Sequence, residues 1–109
     1  MNFNTYQSKA SKTALYPNIG SNPIYPTLGL VGESGEIAEK VKKVIRDKNG
    51  FFDEESKEGL KLELGDVLWY LSQLSCELGY SLEEIAKCNL DKLEIRLKEN
   101  KIHGSGDQR

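Results

Sequence analysis

The sequence predicts an all-α protein, a four-helix bundle of the up-and-down type. Three observations lead there. Apolar residues recur three and four positions apart through four stretches of the chain, the spacing that gathers them on one side of a helix. Turn-forming residues separate the stretches: Pro17, Asn18, Gly20 and Pro23, then Asn49-Gly50, then Gly79. The last two connections are short, which places successive helices antiparallel. The chain has 109 residues and reads as one domain, residues 1–109. A domain of this size buries only about two-thirds of the surface of its unfolded chain, so a partner subunit would add to its stability.

The first helix is expected over residues 3–16, with Phe3, Tyr6, Ala10 and Ala14 on one face and Asn4 or Thr5 as cap. A loop follows to about Tyr25. Pro26 suits the first turn of a second helix, which should run to about Lys48 and stop before Asn49-Gly50. Its apolar stripe is Leu30, Ile37, Val41 and Val44. Asp53 is the expected cap of a third helix running from about Glu54 to Leu78 and ended by Gly79. One stripe of that helix is Leu60, Leu64, Val67, Leu71, Leu74 and Leu78. A second, spaced by seven, is Leu62, Trp69 and Cys76. A helix apolar on two sides is covered on two sides, and the second side is assigned to a partner subunit or to a neighbouring helix of a swapped bundle. Ser81-Leu-Glu-Glu84 is a capping box that opens a fourth helix with Leu82, Ile85, Ala86, Leu90, Leu93 and Leu97 on its core face. The tail, residues 102–109, reads as unstructured when alone.

Charge and composition exclude several function classes. Lys and Arg total 15 against 17 Asp and Glu, a net charge of -2, which lacks the basic excess of a nucleic-acid binder. No apolar run approaches the ~20 residues of a membrane span, and the N-terminus Met1-Asn-Phe-Asn-Thr-Tyr lacks the features of a signal peptide. A cytoplasmic protein with two reduced thiols, Cys76 and Cys88, is expected. A single histidine, His103, argues against a histidine-based zinc or iron site.

Two acidic motifs carry the chemistry: Glu33-Ser-Gly-Glu36 and Glu63-Leu-Gly-Asp66. Residues i and i+3 are neighbours on a helix, with Cβ atoms roughly 5–6 Å apart. Both pairs fall at the border of an apolar stripe. Facing each other, they would form a cage of four carboxylates. Mutual repulsion would raise the pKa values of such a group, and a divalent cation relieves it. All-oxygen donors favour Mg²⁺, Mn²⁺ or Ca²⁺ over zinc, and Mg²⁺ keeps positions open for water and substrate phosphates. Gly32 and Gly35 each cost about 1 kcal/mol in a helix interior relative to Ala, which points to close approach of a backbone or a ligand beside the glutamates. Lys40, like Lys43, reads as solvated, although it lies angularly between Glu33 and Glu36, within reach of either or of a phosphate.

The segment from Leu28 to Lys40, containing Glu33-Ser-Gly-Glu36, followed after residues 37–62 by Glu63-Leu-Gly-Asp66-Val-Leu-Trp-Tyr, resembles the signature of the MazG-like nucleoside triphosphate pyrophosphohydrolases. Asn89-Leu-Asp-Lys92-Leu-Glu-Ile-Arg96 resembles their last core helix. The resemblance implies a helical homodimer or a dimer of dimers. It implies cleavage of a nucleoside triphosphate between its α and β phosphates, with Mg²⁺, or Mn²⁺ in its place, on Glu33, Glu36, Glu63 and Asp66. Asn89, Lys92 and Arg96 then match positions near the phosphates, and Tyr70 a position that stacks on the base in some relatives. Read from the residues alone, Tyr70 is equally a packed core tyrosine and Lys92 and Arg96 a solvated helix edge. Trp69 is assigned to an interface core, Tyr25 to loop packing, and His103 to a tail without chemical duty. The Gly-Ser-Gly of the tail would be able to fold over bound phosphates. The alternative to an enzyme is a non-catalytic helical module that senses nucleotides or binds a partner.

Overall fold

The computed structural model describes residues 1–100 together with Gly104, Gly106 and Asp107; His103 and the rest of the tail lie outside the described residues. Among the described residues there are four helices: α1 (Phe3–Ser11), α2 (Ile24–Lys48), α3 (Glu54–Leu78) and α4 (Leu82–Lys98). No strand occurs among the described residues. The boundaries of α3 and α4 follow their caps. Asp53 accepts from the Ser56 amide, Gly79 takes a left-handed conformation, and Ser81 and Glu84 close a reciprocal capping box. Asn49, at φ 55° and ψ 30°, ends α2 in the left-handed manner that Asn tolerates.

The N-terminal elements depart from expectation. The cap of α1 is Asn2, whose side chain accepts from the Thr5 amide at 2.8 Å. Asn4 instead reaches across to Glu83 on α4 at 3.0 Å. The helix ends at Ser11, not at residue 16. Thr13 folds its amide and its hydroxyl back onto the Ala10 carbonyl, and Pro17 disfavours helical geometry at Tyr16. The second helix starts two residues before Pro26, at Ile24. Asn22 accepts from the Tyr25 amide at 3.1 Å and so supplies the capping acceptor that Pro23 lacks.

Packing is uneven. α2 and α3, 25 residues each, form an extensively packed hairpin. α1 lies on α3, and α4 lies mainly on α1. Gln7 of α1 holds this arrangement: its Nε2 donates to the Tyr80 carbonyl at 3.0 Å and its Oε1 accepts from the Leu82 amide at 2.9 Å. The four helices therefore do not close into a bundle within one chain. The radius of gyration is 16.8 Å, against about 13 Å for a compact domain of this length. The only buried hydrophobic residues among those described are Ala10, Tyr16, Val44 and Leu82. Leu62 of the second α3 stripe is 69% exposed, as are much of Leu90 and Leu97 on α4. No helix among the described residues is long and apolar enough to cross a membrane.

The loop between α1 and α2 is pinned by one residue. Glu77 of α3 accepts from the Tyr16 hydroxyl at 2.5 Å and from the amides of Gly20 and Asn22 at 2.9 and 3.0 Å. These donors hold its carboxyl below the usual range. Tyr16, pushed up to about 12 by burial and by this bond, stacks on Tyr25 with ring centroids 4.7 Å apart.

Candidate active site

The hairpin brings three of the four motif carboxylates together. Glu33 from α2 and Glu63 and Asp66 from α3 each offer a carboxylate oxygen, and these oxygens lie within 4.8 Å of one another. Glu33 and Glu63 are half-buried and Asp66 is exposed. Glu36 stands one turn further along α2, exposed, and does not join this group in the described conformation. Burial raises the pKa of Glu33. Hydrogen bonding with Glu63 and the charges of Asp66, Glu63 and Glu36 push it the same way. Three carboxylates that bring oxygens within 4.8 Å of one another form an all-oxygen donor set, the kind that hard divalent cations take. The donor set fits a hard divalent cation.

Lys40 pairs with Glu63 of the facing helix at 3.7 Å, not with Glu33 or Glu36 of its own. The glycines behave differently from expectation. A Cβ at Gly32, Gly35 or Gly65 would meet nothing in the chain within 4 Å. The glycine that a close approach requires is Gly29, where a Cβ would run into the Tyr70 ring. Tyr70 is thus wedged against the α2 backbone. No spacing rule pointed to Gly29, because its partner lies on another helix.

A cleft of about 320 Å³ opens beside the acids, lined by Thr13, Glu33, Asp66, Trp69 and Tyr70. Trp69 and Tyr70 meet edge to face, with centroids 5.0 Å apart. Trp69 Nε1 donates to the Thr13 hydroxyl at 2.8 Å. In the single chain Trp69 therefore forms part of the wall of this cleft. Thr13 enters from the loop after α1, a segment without any motif.

The basic residues of α4 stand elsewhere. Lys92 Nζ lies 2.9 Å from the Asp107 carboxylate. Arg96, buried, donates to the carbonyls of Gly106 and Asp107 at 3.4 and 3.0 Å and to the Asp107 carboxylate at 3.3 Å. The two cations hold the Asp107 carboxyl below its ordinary range. Asn89 and Lys92 share a cleft of about 460 Å³ with Tyr80, Glu84, Ile85 and Cys88. Among the described residues no direct contact joins this group to the acidic one.

Comparison with known proteins adds family membership to this geometry. The MazG nucleotide pyrophosphohydrolase domain model matches residues 25–100. The chain is 46% identical over 114 residues to the gene 37 protein of Mycobacterium phage L5, with both chains covered in full. No solved structure matches it.

Proposed function

The chain belongs to the MazG nucleotide pyrophosphohydrolase family, and from that premise we propose that it cleaves ribo- or deoxynucleoside triphosphates between the α and β phosphates in a Mg²⁺-dependent reaction, with Mn²⁺ able to substitute. The observation that supports this reading most is the convergence of Glu33, Glu63 and Asp66 beside an open cleft. One anhydride P–O bond breaks, water supplies the new oxygen and loses its proton, and the products are a nucleoside monophosphate and pyrophosphate. Glu33, Glu63 and Asp66 would hold the cation, with Glu36, exposed one turn away, as a fourth carboxylate on the same side; when bound, the cation would supply charge neutralisation and polarise a phosphoryl oxygen. Lys40, paired with Glu63, orients that carboxylate or meets a phosphate oxygen.

Asn89, Lys92 and Arg96 are proposed to hold the phosphates and the leaving pyrophosphate. Because α4 does not pack on the acidic hairpin, they are proposed to act at the site of a dimer or a dimer of dimers. The exposed apolar faces of α3 and α4 are assigned to contacts between copies. Light scattering at micromolar concentration is expected to give the mass of two or four chains, and a monomer would remove this part of the reading. A cytoplasmic setting, where the nucleotide pool lies, goes with it, as does the absence of any membrane or polymeric nucleic-acid partner.

A panel of ribo- and deoxynucleoside triphosphates with Mg²⁺, the products resolved by ion exchange, tests the reaction. Monophosphate plus pyrophosphate, abolished by a chelator, is the expected result. Diphosphate plus orthophosphate, or no release from folded protein, would overturn it. Binding without turnover is the outcome that favours a nucleotide sensor.

A further inference from the structure

Resting on that reading of the acidic site, we infer that Trp69 and Thr13, not Tyr70, form the nucleoside subsite. Tyr70 has little freedom to stack on a base. Its ring is wedged against the α2 backbone at Gly29, and Tyr25, in the first turn of that helix, is held by its stack on Tyr16. That ladder is anchored at Glu77, which fixes Tyr16 and the loop before α2. Trp69 is the residue before Tyr70 on α3 and projects from a different side of the helix, since successive residues are 100° apart. It lines the same cleft as Glu33 and Asp66, so a triphosphate seated at those acids would have its nucleoside within reach of the indole. The cleft, about 320 Å³, lies at the small end of the range for ligand sites.

The polar chemistry of the wall can be read from its hydrogen bonds. Thr13 gives its proton to the Ala10 carbonyl at 2.7 Å and accepts the Trp69 N–H at 2.8 Å. A hydroxyl oxygen accepts twice, so Thr13 retains one acceptor site. The indole N–H is already engaged. The wall thus presents an aromatic surface and one acceptor, with no side-chain donor from this pair. Every common nucleobase carries an N–H able to meet such an acceptor, and stacking is tolerant of base identity. The subsite is therefore expected to take purine and pyrimidine nucleotides alike, with preferences among bases of about tenfold or less, the worth of one hydrogen bond.

Trp69 is the only tryptophan in the chain, so its emission reports on the cleft directly. The probe is a deoxynucleoside triphosphate with an imido bridge between the α and β phosphates, titrated with Mg²⁺; inorganic tripolyphosphate serves as the nucleoside-free control. A saturable change with the nucleotide, absent or much smaller with tripolyphosphate, is expected. Equal responses to both, or none to either while substrate is still turned over, would overturn the subsite and leave the proposed reaction standing. Emission that follows protein concentration but not nucleotide would place Trp69 in a subunit contact and overturn it as well. Loss of turnover with the nucleotide response intact would instead count against the reaction and keep the subsite. Trp69→Ala should raise KM about 5- to 150-fold, the range for losing a base-stacking ring, with a smaller change in kcat. Thr13→Val, which leaves the fluorophore in place and guards against a misfolded tryptophan variant, should raise KM about 2- to 10-fold. Unchanged KM in both variants would sink the inference.

Discussion

Glu33, Glu63 and Asp66 stand on two helices that pack against each other extensively, whereas Lys92 and Arg96 stand on a helix whose main support is α1. The two groups solve opposite electrostatic problems. The acids repel one another and stay together because the hairpin holds their backbones; burial first, and the neighbouring acids after it, raise the pKa of Glu33. The cations of α4 are held by attraction, through the Asp107 carboxylate and the tail carbonyls. A site made of like charges needs a rigid scaffold before its ion arrives, whereas one made of opposite charges can be organised by a short segment of chain. The hairpin therefore carries the preorganised half, and α4 the half whose setting depends on what else joins it.

The largest expected effect separates the two halves by function. Glu63→Gln should lower turnover by about 100-fold or more, since even outer-shell changes at metal sites cost 10- to 100-fold, and should weaken Mn²⁺ binding measured by electron paramagnetic resonance. Lys92→Met should raise KM by about tenfold or more, the worth of a charge-assisted hydrogen bond, with Mn²⁺ affinity unchanged. Equal loss of Mn²⁺ binding in both variants would erase the distinction between the halves.

Next comes the rigidity of the hairpin itself. Gly29→Ala forces a methyl group into the Tyr70 ring, and overpacking of this kind costs about 1–3 kcal/mol. Urea unfolding should show the loss, with Tm falling by roughly 4–8 °C for each kcal/mol. Wild-type stability in this variant would mean that Tyr70 is free to move, which would reopen its case as a base-stacking residue.

A smaller effect should run against intuition. The folded-state pKa of Glu33 lies above its ordinary value, so folding favours the protonated form. Ionised at pH 7, this residue opposes folding; the opposition fades as pH falls through its raised folded-state pKa and is gone below the ordinary value of 4.5. Glu33→Gln should therefore raise the Tm of the metal-free protein at pH 7 while it impairs turnover, and the gain should shrink toward pH 4. Differential scanning calorimetry across that range decides it; a lower Tm for the variant at pH 7 would show that repulsion is not what Glu33 contributes.

The smallest effect concerns the turn that joins the two hairpin helices. Asp53 accepts from the Ser56 amide and from Lys48, and these bonds hold its carboxyl down to about 2. Its contribution is present above the ordinary value of about 3.9 and is lost as pH falls from about 4 toward 2. Asp53→Asn keeps a good cap but loses the charge, so its Tm should be modestly lower at pH 7 and converge with the wild type near pH 2.

Much of this architecture was legible in single residues. Asp53 and Gly79 mark both ends of α3, Ser81 and Glu84 the start of α4, and Asn49 the end of α2, because a cap acts on backbone groups only two or three positions away. The spacing of Glu63 and Asp66 put both on one side of α3 for the same local reason. Reading failed where a partner came from another element. Lys40 was placed beside Glu33 and Glu36 by helix angle, but it pairs with Glu63. A close approach that excludes a Cβ occurs at Gly29, whereas nothing in the chain comes within 4 Å of a Cβ at Gly32 or Gly35. Glu77 lies in no motif, yet it fixes the loop before α2.

The sequence by itself determined four helices, most of their ends, and a set of acids poised on the borders of apolar stripes, since periodicity and capping are properties of neighbours along the chain. Only the tertiary structure decided that three of those acids meet while Glu36 stays outside. It also turned Trp69 toward Thr13 at the cleft beside the acids and gave Lys92 and Arg96 the Asp107 carboxylate as counter-charge. Each of these depends on which side of one helix packs against another, and that choice is settled by the shape and charge of the assembled surfaces, not by spacing within any one of them.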